Sequence, residues 1–558
     1  MNAQIRTIAI LSLLLAACAA PAPPTNPAVD VVFAEYDRPD SPGCALGVVR
    51  DGRLEYARGY GTANLEYGLP ITPRSVFRMA SVSKQFTAAA IALLAAEGRI
   101  GLDDDIREHV PELPDFGTPV TIRQLVHHTS GVRDYLTLFS LAGARDEDFY
   151  TDDEVVAMLA RQRALNFPPG SEHLYSNSGY FLLSVIVRRV TGGSLAAYAQ
   201  EKIFGPLGMA QTHFHDDHTR VVPNRATGYS RREDGAWHID QTTLDMIGDG
   251  GVFTSIEDLV AWDRSFYDHS LGGPALVETL LSPGVLSDGT TIAYAFGLGH
   301  ASYRGLETVE HGGSFVGFRT MLVRFPAERV SIACLCNLAQ ADPARLARRV
   351  ADVVLADRFT EPVPADAAPP EAVALAPEAL ARFAGAYRTA TGVVWEIVER
   401  DGGLALDRFS GEPTPLVPVS ADELRPASGR GQTLAFDPAP EAPAPRAGGH
   451  VASDPPVAFS RVTLVAPESV KPDDYVGVYA SDELAARMIV VRDGDRLFLR
   501  HENPFKDAPD SALHPTLDDT FAVGGLVVRF ERDGRRLVIG FMLDAGRVRN
   551  LRFARVEP

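Results

Sequence analysis

The chain has 558 residues, of which 46% are hydrophobic and 22% are charged. This composition is that of a globular protein, and the length exceeds what one hydrophobic core normally holds, so we expect several domains. The formal net charge of −19 and the lack of any dense run of Lys and Arg argue against nucleic-acid binding, because phosphate contacts need clustered cations.

The first residues have the pattern of an export signal. Arg6 supplies a positive charge, and Ile8–Ala17 form an apolar segment that is too short to span a bilayer. The segment ends in L-A-A-C, which resembles the lipobox of bacterial lipoproteins, and A-A-P-A-P-P follows Cys18. We expect a signal peptide over 1–17, lipidation of Cys18 and a tether over 18–30; an ordinary A-x-A cleavage site is the alternative. The mature protein would then face the periplasm and meet the membrane only through its lipid anchor.

Strand and helix patterns follow in blocks up to about residue 359. Helical periodicity dominates from Ser83 to Tyr198, between two groups of strand-like runs, and a last helical stretch occupies Pro343–Leu355. The predicted strands are Ala45–Arg50, Leu54–Gly59, Tyr294–His300, Glu307–Glu310, Phe318–Phe325 and Val330–Asn337. This order predicts one α/β domain over 31–359 with a helical region inserted into it.

A linker rich in Pro, Ala and acidic residues at 360–372 precedes a C-terminal part with a different pattern. Short β runs with Asp-Gly turns follow, and F-A-G-A-Y (Phe383–Tyr387) recurs as Y-V-G-V-Y (Tyr475–Tyr479). I-V-E-R-D-G and I-V-V-R-D-G repeat at the same spacing, and F-S-R-V and F-A-R-V close the two copies. We predict two small antiparallel β-barrels, at 373–466 and 467–558.

Three cysteines remain beyond the export signal. Cys44 lies in one predicted strand, and Cys334 and Cys336 alternate in another, so that both point to one face. No further ligand accompanies them at turn spacing, and the adjacent His127 and His128 lack a third ligand, so no metal site is predicted. We expect buried apolar cysteines; a disulfide between Cys44 and one of the pair is the alternative in an oxidising compartment.

A serine and a lysine stand three residues apart at the entrance of an apolar segment, in R-M-A-S-V-S-K-Q-F-T-A-A-A-I-A-L-L. If a helix begins near Ser81, the Lys84 ammonium lies on the same face and within reach of the Ser81 hydroxyl. Burial against the apolar run would lower the pKa of Lys84, and a neutral lysine can take the proton of a serine nucleophile. Ser83 lies on another face. Alone, the pattern favours a capping serine beside an exposed lysine.

Two further motifs supply polar groups that could share a cavity with this pair. H-L-Y-S-N-S-G-Y places Tyr175 and Asn177 two residues apart in an extended or looped segment, offering a phenol and an amide. E-H-G-G-S-F puts His311, Gly313 and Ser314 at the end of a strand, where glycines mark the close approach of a ligand or backbone. Each motif alone is more typical of structure than of chemistry.

Together, S-V-S-K, Y-S-N and H-G-G resemble in order and separation the serine penicillin-recognising family, which includes class C β-lactamases, D-aminopeptidases, esterases and D-peptidases. The connecting segments T-I-R-Q-L-V-H-H-T-S-G-V, I-F-G-P-L-G-M and G-D-G-G-V-F-T-S-I-E-D-L agree, and the resemblance covers about Val31 to Phe359. It implies the α/β fold of β-lactamases and transpeptidases, in which helices flank an antiparallel sheet beside an all-helical region. No cofactor and no metal are expected.

By this resemblance, Ser81 is the nucleophile, Lys84 accepts or relays its proton, and Tyr175 is the second acid/base group. Which of Lys84 and Tyr175 is the base stays open. The backbone N–H groups of Ser81 and Ser314 would form the oxyanion hole. Asn177 would bind the amide of a small-molecule or peptide substrate.

The resemblance also indicates a branch of the family. His311, with Gly313, would line the opposite wall of the site. True β-lactamases usually carry Lys-Thr-Gly there, and a largely neutral imidazole here replaces a permanent cation. This departure and the paired barrels resemble D-aminopeptidases, so we expect an acyl-enzyme on D-amino-acid peptides or amides, with Asp249 one candidate for holding the substrate ammonium.

Two kinds of alternative function stay open. One is a carboxylesterase or weak β-lactamase of the same family. The other is a non-catalytic protein that binds β-lactams or peptidoglycan. The sequence leaves the oligomeric state open.

Overall fold

The structure, a computed structural model, describes residues 26–145, 148–363, 372–428, 432–437, 447–451, 457–502 and 510–556. The predicted signal peptide, Cys18 and most of the predicted linker lie outside these residues. Among the residues described, no helix is both long enough and apolar enough to cross a membrane.

A six-stranded antiparallel sheet forms the centre of the N-terminal part. The strands described in this part are β1 (Cys44–Arg50), β2 (Arg53–Tyr60), β3 (Thr62–Asn64), β4 (Leu69–Pro70), β5 (Phe77–Arg78), β6 (His213–Phe214), β7 (Tyr229–Arg231), β8 (Trp237–Ile239), β9 (Val252–Thr254), β10 (Gly299–Tyr303), β11 (Leu306–Phe315), β12 (Phe318–Phe325) and β13 (Val330–Cys336). The sheet order is β10-β11-β12-β13-β1-β2, so strands from the two ends of this part pair at its centre. β1 and β13 are buried along almost their whole length, as continuous apolar runs predict.

Helices cover both faces of this sheet. The α-helices described are α1 (Pro27–Val32), α2 (Lys84–Ala96), α3 (Ile122–Val126), α4 (Tyr135–Leu141), α5 (Asp152–Ala160), α6 (Asn177–Thr191), α7 (Leu195–Ala199), α8 (Gly205–Leu207), α9 (Ile256–Asp268), α10 (Gly273–Leu281), α11 (Pro343–Val354), α12 (Pro377–Ala381) and α13 (Pro472–Tyr475). α1 and α11 pack on one face, and α9 packs on the other, where Ile256 lies directly over Gly47. The predicted α/β fold with a helical region is confirmed.

One predicted strand is misplaced. The segment Tyr294–His300 was expected to be extended, but β10 begins only at Gly299, and a turn closed by Ala295 N–H and Leu298 O precedes it. Gly297 sits in this turn with a φ of 71°, against the backbone of Lys84 and Gln85. The alternating pattern is therefore a tight turn that packs on the start of α2, not a strand.

Two closed eight-stranded antiparallel barrels form the C-terminal part, as predicted. The first contains β14 (Gly385–Thr389), β15 (Val394–Arg400), β16 (Gly403–Asp407), β17 (Thr414–Pro418), β18 (Glu423–Pro426), β19 (Leu434–Phe436), β20 (Gly448–Val451) and β21 (Val457–Val462). The second contains β22 (Gly477–Ser481), β23 (Ala486–Asp493), β24 (Arg496–His501), β25 (Ser511–Leu517), β26 (Thr520–Val523), β27 (Leu526–Arg532), β28 (Val538–Asp544) and β29 (Leu551–Val556). The predicted boundary at 372–373 lies between β13 and β14, and the one at 466–467 lies between β21 and β22.

The sequence repeat corresponds to a repeated structural device. In the first barrel the Tyr387 hydroxyl donates to Phe383 O at 2.8 Å, and in the second the Tyr479 hydroxyl donates to Tyr475 O at 2.6 Å. The arginine of each closing motif lies over the ring of the repeated tyrosine, at 5.0 and 6.0 Å from the ring centroid. Both barrels therefore close through the same buried tyrosine and arginine contacts.

Candidate active site

The serine of S-V-S-K lies on a sharp turn between β5 and α2. Ala80 has a φ of 48°, in the left-handed region that a residue with a side chain seldom adopts. A single 3₁₀ turn then runs from Ala80 to Ser83, and the α-helix itself begins at Lys84. Ser81 is partly exposed to a cavity, whereas Ser83 is fully buried and its Oγ accepts a hydrogen bond from Val252 N. Ser83 is therefore structural, as predicted.

Lys84 lies beneath the cavity, with no solvent exposure. Its Nζ lies 3.2 Å from Ser81 Oγ, 2.9 Å from Asn177 Oδ1 and 2.6 Å from Asp249 O. These three acceptors match the three protons of an ammonium, and none of them is a carboxylate. The contact to Ser81 is the one along which a proton can pass from the serine to a neutral lysine.

Tyr175 and Asn177 reach the same site from the start of α6. Lys84 Nζ lies 4.8 Å from the centroid of the Tyr175 ring, and the centroid of the His128 ring lies 4.2 Å from the same point. The Tyr175 hydroxyl is buried and has no hydrogen-bond partner among the described residues. Asn177 is the first residue of α6 rather than part of an extended segment, and its N–H donates to Asp134 Oδ2 at 2.7 Å.

The opposite wall consists of β11 and the strand beside it. A Cβ on Gly313 would lie 2.3 Å from Met79 O and 2.3 Å from Thr320 Oγ1, so the glycine lets β11 approach the turn before Ser81. Ser314, two positions beyond Gly312, also lines the cavity. The close backbone approach that the glycines predict is present.

His311 is held as a neutral imidazole. Its Nδ1 is 2.7 Å from Gly312 O, which can only accept, so Nδ1 carries the proton and Nε2 accepts from the Tyr294 hydroxyl at 3.1 Å. Burial and the nearby Lys84 ammonium lower the pKa of His311 to about 4. The group that replaces the β-lactamase lysine therefore offers hydrogen bonds and no positive charge near neutral pH.

These side chains open onto one cavity of about 660 Å³. Six predicted site residues line it: Ser81, Tyr175, Asn177, His311, Gly313 and Ser314. Lys84 lies below its floor, in contact with Ser81. Asp249 also lines the cavity and is nearly buried; its Oδ2 accepts from the Tyr135 hydroxyl at 3.1 Å, and burial raises its pKa.

The cysteines differ from the preferred expectation. Cys44 and Cys336 form a disulfide between β1 and β13, so the expectation of apolar thiols is wrong for this pair and the alternative holds. Cys334 remains a free, buried thiol with its Sγ 3.8 Å from that of Cys336. The three sulfur atoms lie within 4.8 Å of one another, but the two in the disulfide are not available as thiolate ligands.

Residues of the second barrel complete the site, and sequence reasoning did not find them. The loop between β28 and β29 brings Arg547 to the cavity, where its Cζ lies 4.8 Å from the centroid of the Tyr175 ring. A buried ion pair fixes the barrel, because Arg133 Nη1 lies 2.6 Å from Glu483 Oε2. A charged pair R-D at 133–134 inside an otherwise apolar stretch was the one local signal of this contact.

The fold and the site together define a serine hydrolase, with a buried lysine beside the serine hydroxyl and a tyrosine across the cavity. The family model described as Beta-lactamase matches residues 29–355, and the chain belongs to this family.

Named relatives extend the comparison. The chain is 33% identical to a D-aminopeptidase of Gluconobacter oxydans over 297 residues, which is 53% of this chain but little more than half, 56%, of that relative. It is 25% identical to a D-aminopeptidase of Brucella anthropi over 535 residues, covering 93% of this chain and 96% of the relative. An octameric penicillin-binding protein homologue from Pyrococcus abyssi shares the fold, with a TM-score of 0.56, 22% identity and coverage of 85% of this chain and 97% of the other.

Proposed function

We propose that the protein hydrolyses peptides or amides of D-amino acids through an acyl-enzyme on Ser81. Ser81 Oγ attacks the substrate carbonyl, and its proton passes to the deprotonated form of Lys84 or of Tyr175. The N–H groups of Ser81 and Ser314 stabilise the oxyanion, and the C–N bond breaks as the leaving amine takes up a proton. Water then attacks the ester and gives up a proton to the same base, which returns a proton to Ser81 Oγ as the ester C–O bond breaks and the acid leaves.

The contact of Lys84 Nζ with Ser81 Oγ, at 3.2 Å and away from solvent, is the observation that supports this proposal best. It is the arrangement that an acyl-transferring serine needs, because the lysine amine can exchange a proton with the serine hydroxyl. The D-amino-acid preference rests on the relatives named D-aminopeptidase, one of which aligns over nearly the whole chain.

The neutral His311 removes from this strand the cation by which β-lactamases hold the β-lactam carboxylate, so a carboxylate at this site must be held by other groups. A β-lactam carries a carboxylate that a lysine on this strand would attract, and His311, with a pKa of about 4, lacks that charge above pH 5. The same wall suits a neutral peptide group, because the strand backbone presents hydrogen-bonding groups of both kinds.

The test compares D-alanine p-nitroanilide, L-alanine p-nitroanilide, p-nitrophenyl acetate and nitrocefin on the wild type and on Ser81→Ala. We expect turnover of the D-anilide to exceed that of the L-anilide, and Ser81→Ala to lose at least about 1,000-fold in kcat for every substrate. Retention of full activity by Ser81→Ala would refute the nucleophile assignment. Preferential turnover of nitrocefin or of the acetate would replace the peptidase by a β-lactamase or a carboxylesterase.

We propose in addition that the enzyme is exported and anchored to a bacterial membrane by a lipid on Cys18. The L-A-A-C motif and the short apolar segment before it support this placement. Growth with a labelled fatty acid should label the wild-type protein and leave Cys18→Ser unlabelled. A wild-type protein without label would show that an ordinary signal peptidase cleaves the segment.

A further inference from the structure

The cavity above Ser81 has an uneven balance of charge. Three arginines line it, Arg78, Arg319 and Arg547, against two acidic side chains, Asp249 and Asp342. A neutral peptide does not require this excess, and neighbouring groups compensate only some of these five charges.

Both acids are occupied. Asp249 accepts from the Tyr135 hydroxyl at 3.1 Å, and burial raises its pKa. Asp342 caps α11, and its Oδ1 accepts from Arg345 N at 3.0 Å, at the positive end of that helix. Neither acid forms an ion pair with an arginine of the cavity among the described residues.

Arg78 is buried and forms no ion pair among the described residues, although the nearby Asp249 and Asp245 favour its charged form. It is 5% exposed, and its Nε has no hydrogen-bond partner among the residues that the structure describes. Its guanidinium faces the rings of Phe253 and Phe315, at 5.8 and 5.2 Å from the centroids. Burial lowers the pKa of Arg78 to about 10, so it remains charged at neutral pH. A buried cation beside a cavity favours an anion in that cavity.

Arg547 is the cation that a ligand can reach. It is exposed at the edge of the cavity, next to Tyr175, and forms no ion pair with any residue described. Arg549, two positions on in the same loop, pairs with Glu172 at 2.9 Å and does not line the cavity. Arg319, by contrast, donates to Val316 O and Phe318 O, at 2.7 and 2.8 Å. A guanidinium without a partner is suited to bind a carboxylate with two parallel hydrogen bonds.

We infer that the substrate of this site bears a carboxylate and that Arg547 of the second barrel binds it. Arg547 is then a specificity-determining residue, and Arg78 adds to the positive potential that attracts the anion. The inference deepens the proposed function and rests on it for the D-amino-acid part alone. The carboxylate can be the free C-terminus of a short peptide or the side chain of an acidic residue.

Three matched substrate pairs test the inference, each with a carboxylate in one member and an uncharged group in the other. D-Ala-D-Ala and its C-terminal amide test the terminus, and D-aspartyl and D-asparaginyl p-nitroanilide test the side chain. Mono-4-nitrophenyl succinate and its methyl ester test the charge without a D-amino acid. We expect the wild type to prefer the charged member of at least one pair by about 10- to 100-fold in kcat/KM, the effect of one charged hydrogen-bonding contact.

Two loop variants assign the preference to one side chain. Arg547→Gln should lower the charged-to-uncharged ratio at least about fivefold, and Arg547→Lys should restore part of it. Arg549→Gln, the matched control on the same loop, should keep the wild-type ratio. Because Arg547 is exposed, the preference should also fall as salt rises from 0.05 to about 0.5 M.

The outcomes separate this inference from the proposed function. Equal kcat/KM for both members of every pair in the wild type, or an undiminished ratio in Arg547→Gln, overturns the role of Arg547. A preference for the charged ester without turnover of any D-aminoacyl substrate supports the anion site and refutes the D-peptidase proposal. A preference in the D-Ala-D-Ala pair identifies the C-terminus as the bound group, and one in the anilide pair identifies the side chain.

Discussion

Glu483→Gln tests how the second barrel is fixed to the catalytic domain. Arg133 is 1% exposed, and its Nη1 lies 2.6 Å from Glu483 Oε2. Removing one partner of a buried ion pair leaves an uncompensated charge and costs about 3–5 kcal/mol. Glutamine keeps the shape and one hydrogen bond, so we expect the lower figure, about 3 kcal/mol, which is roughly 100-fold in the equilibrium between docked and undocked barrel.

The loss of docking free energy should appear first in the loop that brings Arg547 to the cavity. Arg133 Nη2 donates to Arg549 O and to Asn550 O, both at 2.9 Å, so the same guanidinium holds the barrel and the loop. Two of the amides that bond across this interface belong to the loop contact, because Asp134 N donates to Arg547 O and Arg549 N donates to Asn166 Oδ1. Hydrogen exchange of these two amides therefore reports opening of the interface directly.

We expect both amides to exchange about 100-fold faster in Glu483→Gln, while amides of the central sheet stay unchanged. The matched control replaces both partners, as Arg133→Met with Glu483→Leu. This pair should lose less protection than Arg133→Met alone, because no buried charge is left without a partner. Exchange within threefold of the wild type in Glu483→Gln, or a double variant that opens more readily than either single variant, would refute the reasoning.

Three further predictions concern the site and its surroundings. Tyr175→Phe should lower kcat by about 100- to 10,000-fold if the phenol transfers a proton, without loss of stability in denaturant unfolding, because its hydroxyl has no hydrogen-bond partner among the described residues. Gly313→Ala should lower kcat at least about tenfold and lower the free energy of unfolding by about 1–3 kcal/mol, because its Cβ would lie 2.3 Å from a main-chain and a side-chain oxygen. The control is Gly312→Ala, whose Cβ would have no contact under 3.8 Å and which should lose less than a third of that free energy. Burial, with nearby arginines, lowers the pKa of His215 to about 3 from 6.5, so the unfolded chain binds a proton there that the folded chain does not, and stability should fall as pH decreases below 6.5. Between pH 6 and 4, urea unfolding of His215→Gln should show a pH slope shallower by about 1 kcal/mol per pH unit than that of the wild type, and equal slopes would contradict this assignment.

The parts of the site that the sequence predicted depend on local spacing. Ser81 and Lys84 meet because residues three apart share a face at the start of a helix, and Tyr175 and Asn177 share a cavity because both flank the first turn of α6. The glycine at 313 marked a close backbone approach before any fold was known. In both pairs, the two residues lie within three positions of each other along the chain.

The predictions of structure that are wrong concern segments in which tertiary packing, and not the local sequence pattern, decides the conformation. The alternation over Tyr294–His300 is compatible with a strand, but Gly297 turns the chain so that it can pack on Lys84 and Gln85. The sequence left Cys44 as a free thiol or as the disulfide partner of Cys334 or Cys336. Only the strand register, which sets Cys44 opposite Cys336, decided between these possibilities.

By itself, the sequence determined the α/β domain and the two barrels, since periodicity and repeats encode local structure, and the resemblance of its motifs to a known family implied the serine, lysine, tyrosine and histidine of the site. Only the tertiary structure decided what charge the cavity presents. Arg133 and Glu483 are 350 residues apart, and no local pattern joins them. Their buried pairing, together with the hydrogen bonds from Arg133 to Arg549 O and Asn550 O, holds the β28–β29 loop beside Tyr175. Arg547 thereby becomes part of a site whose motifs lie more than 200 residues away along the chain.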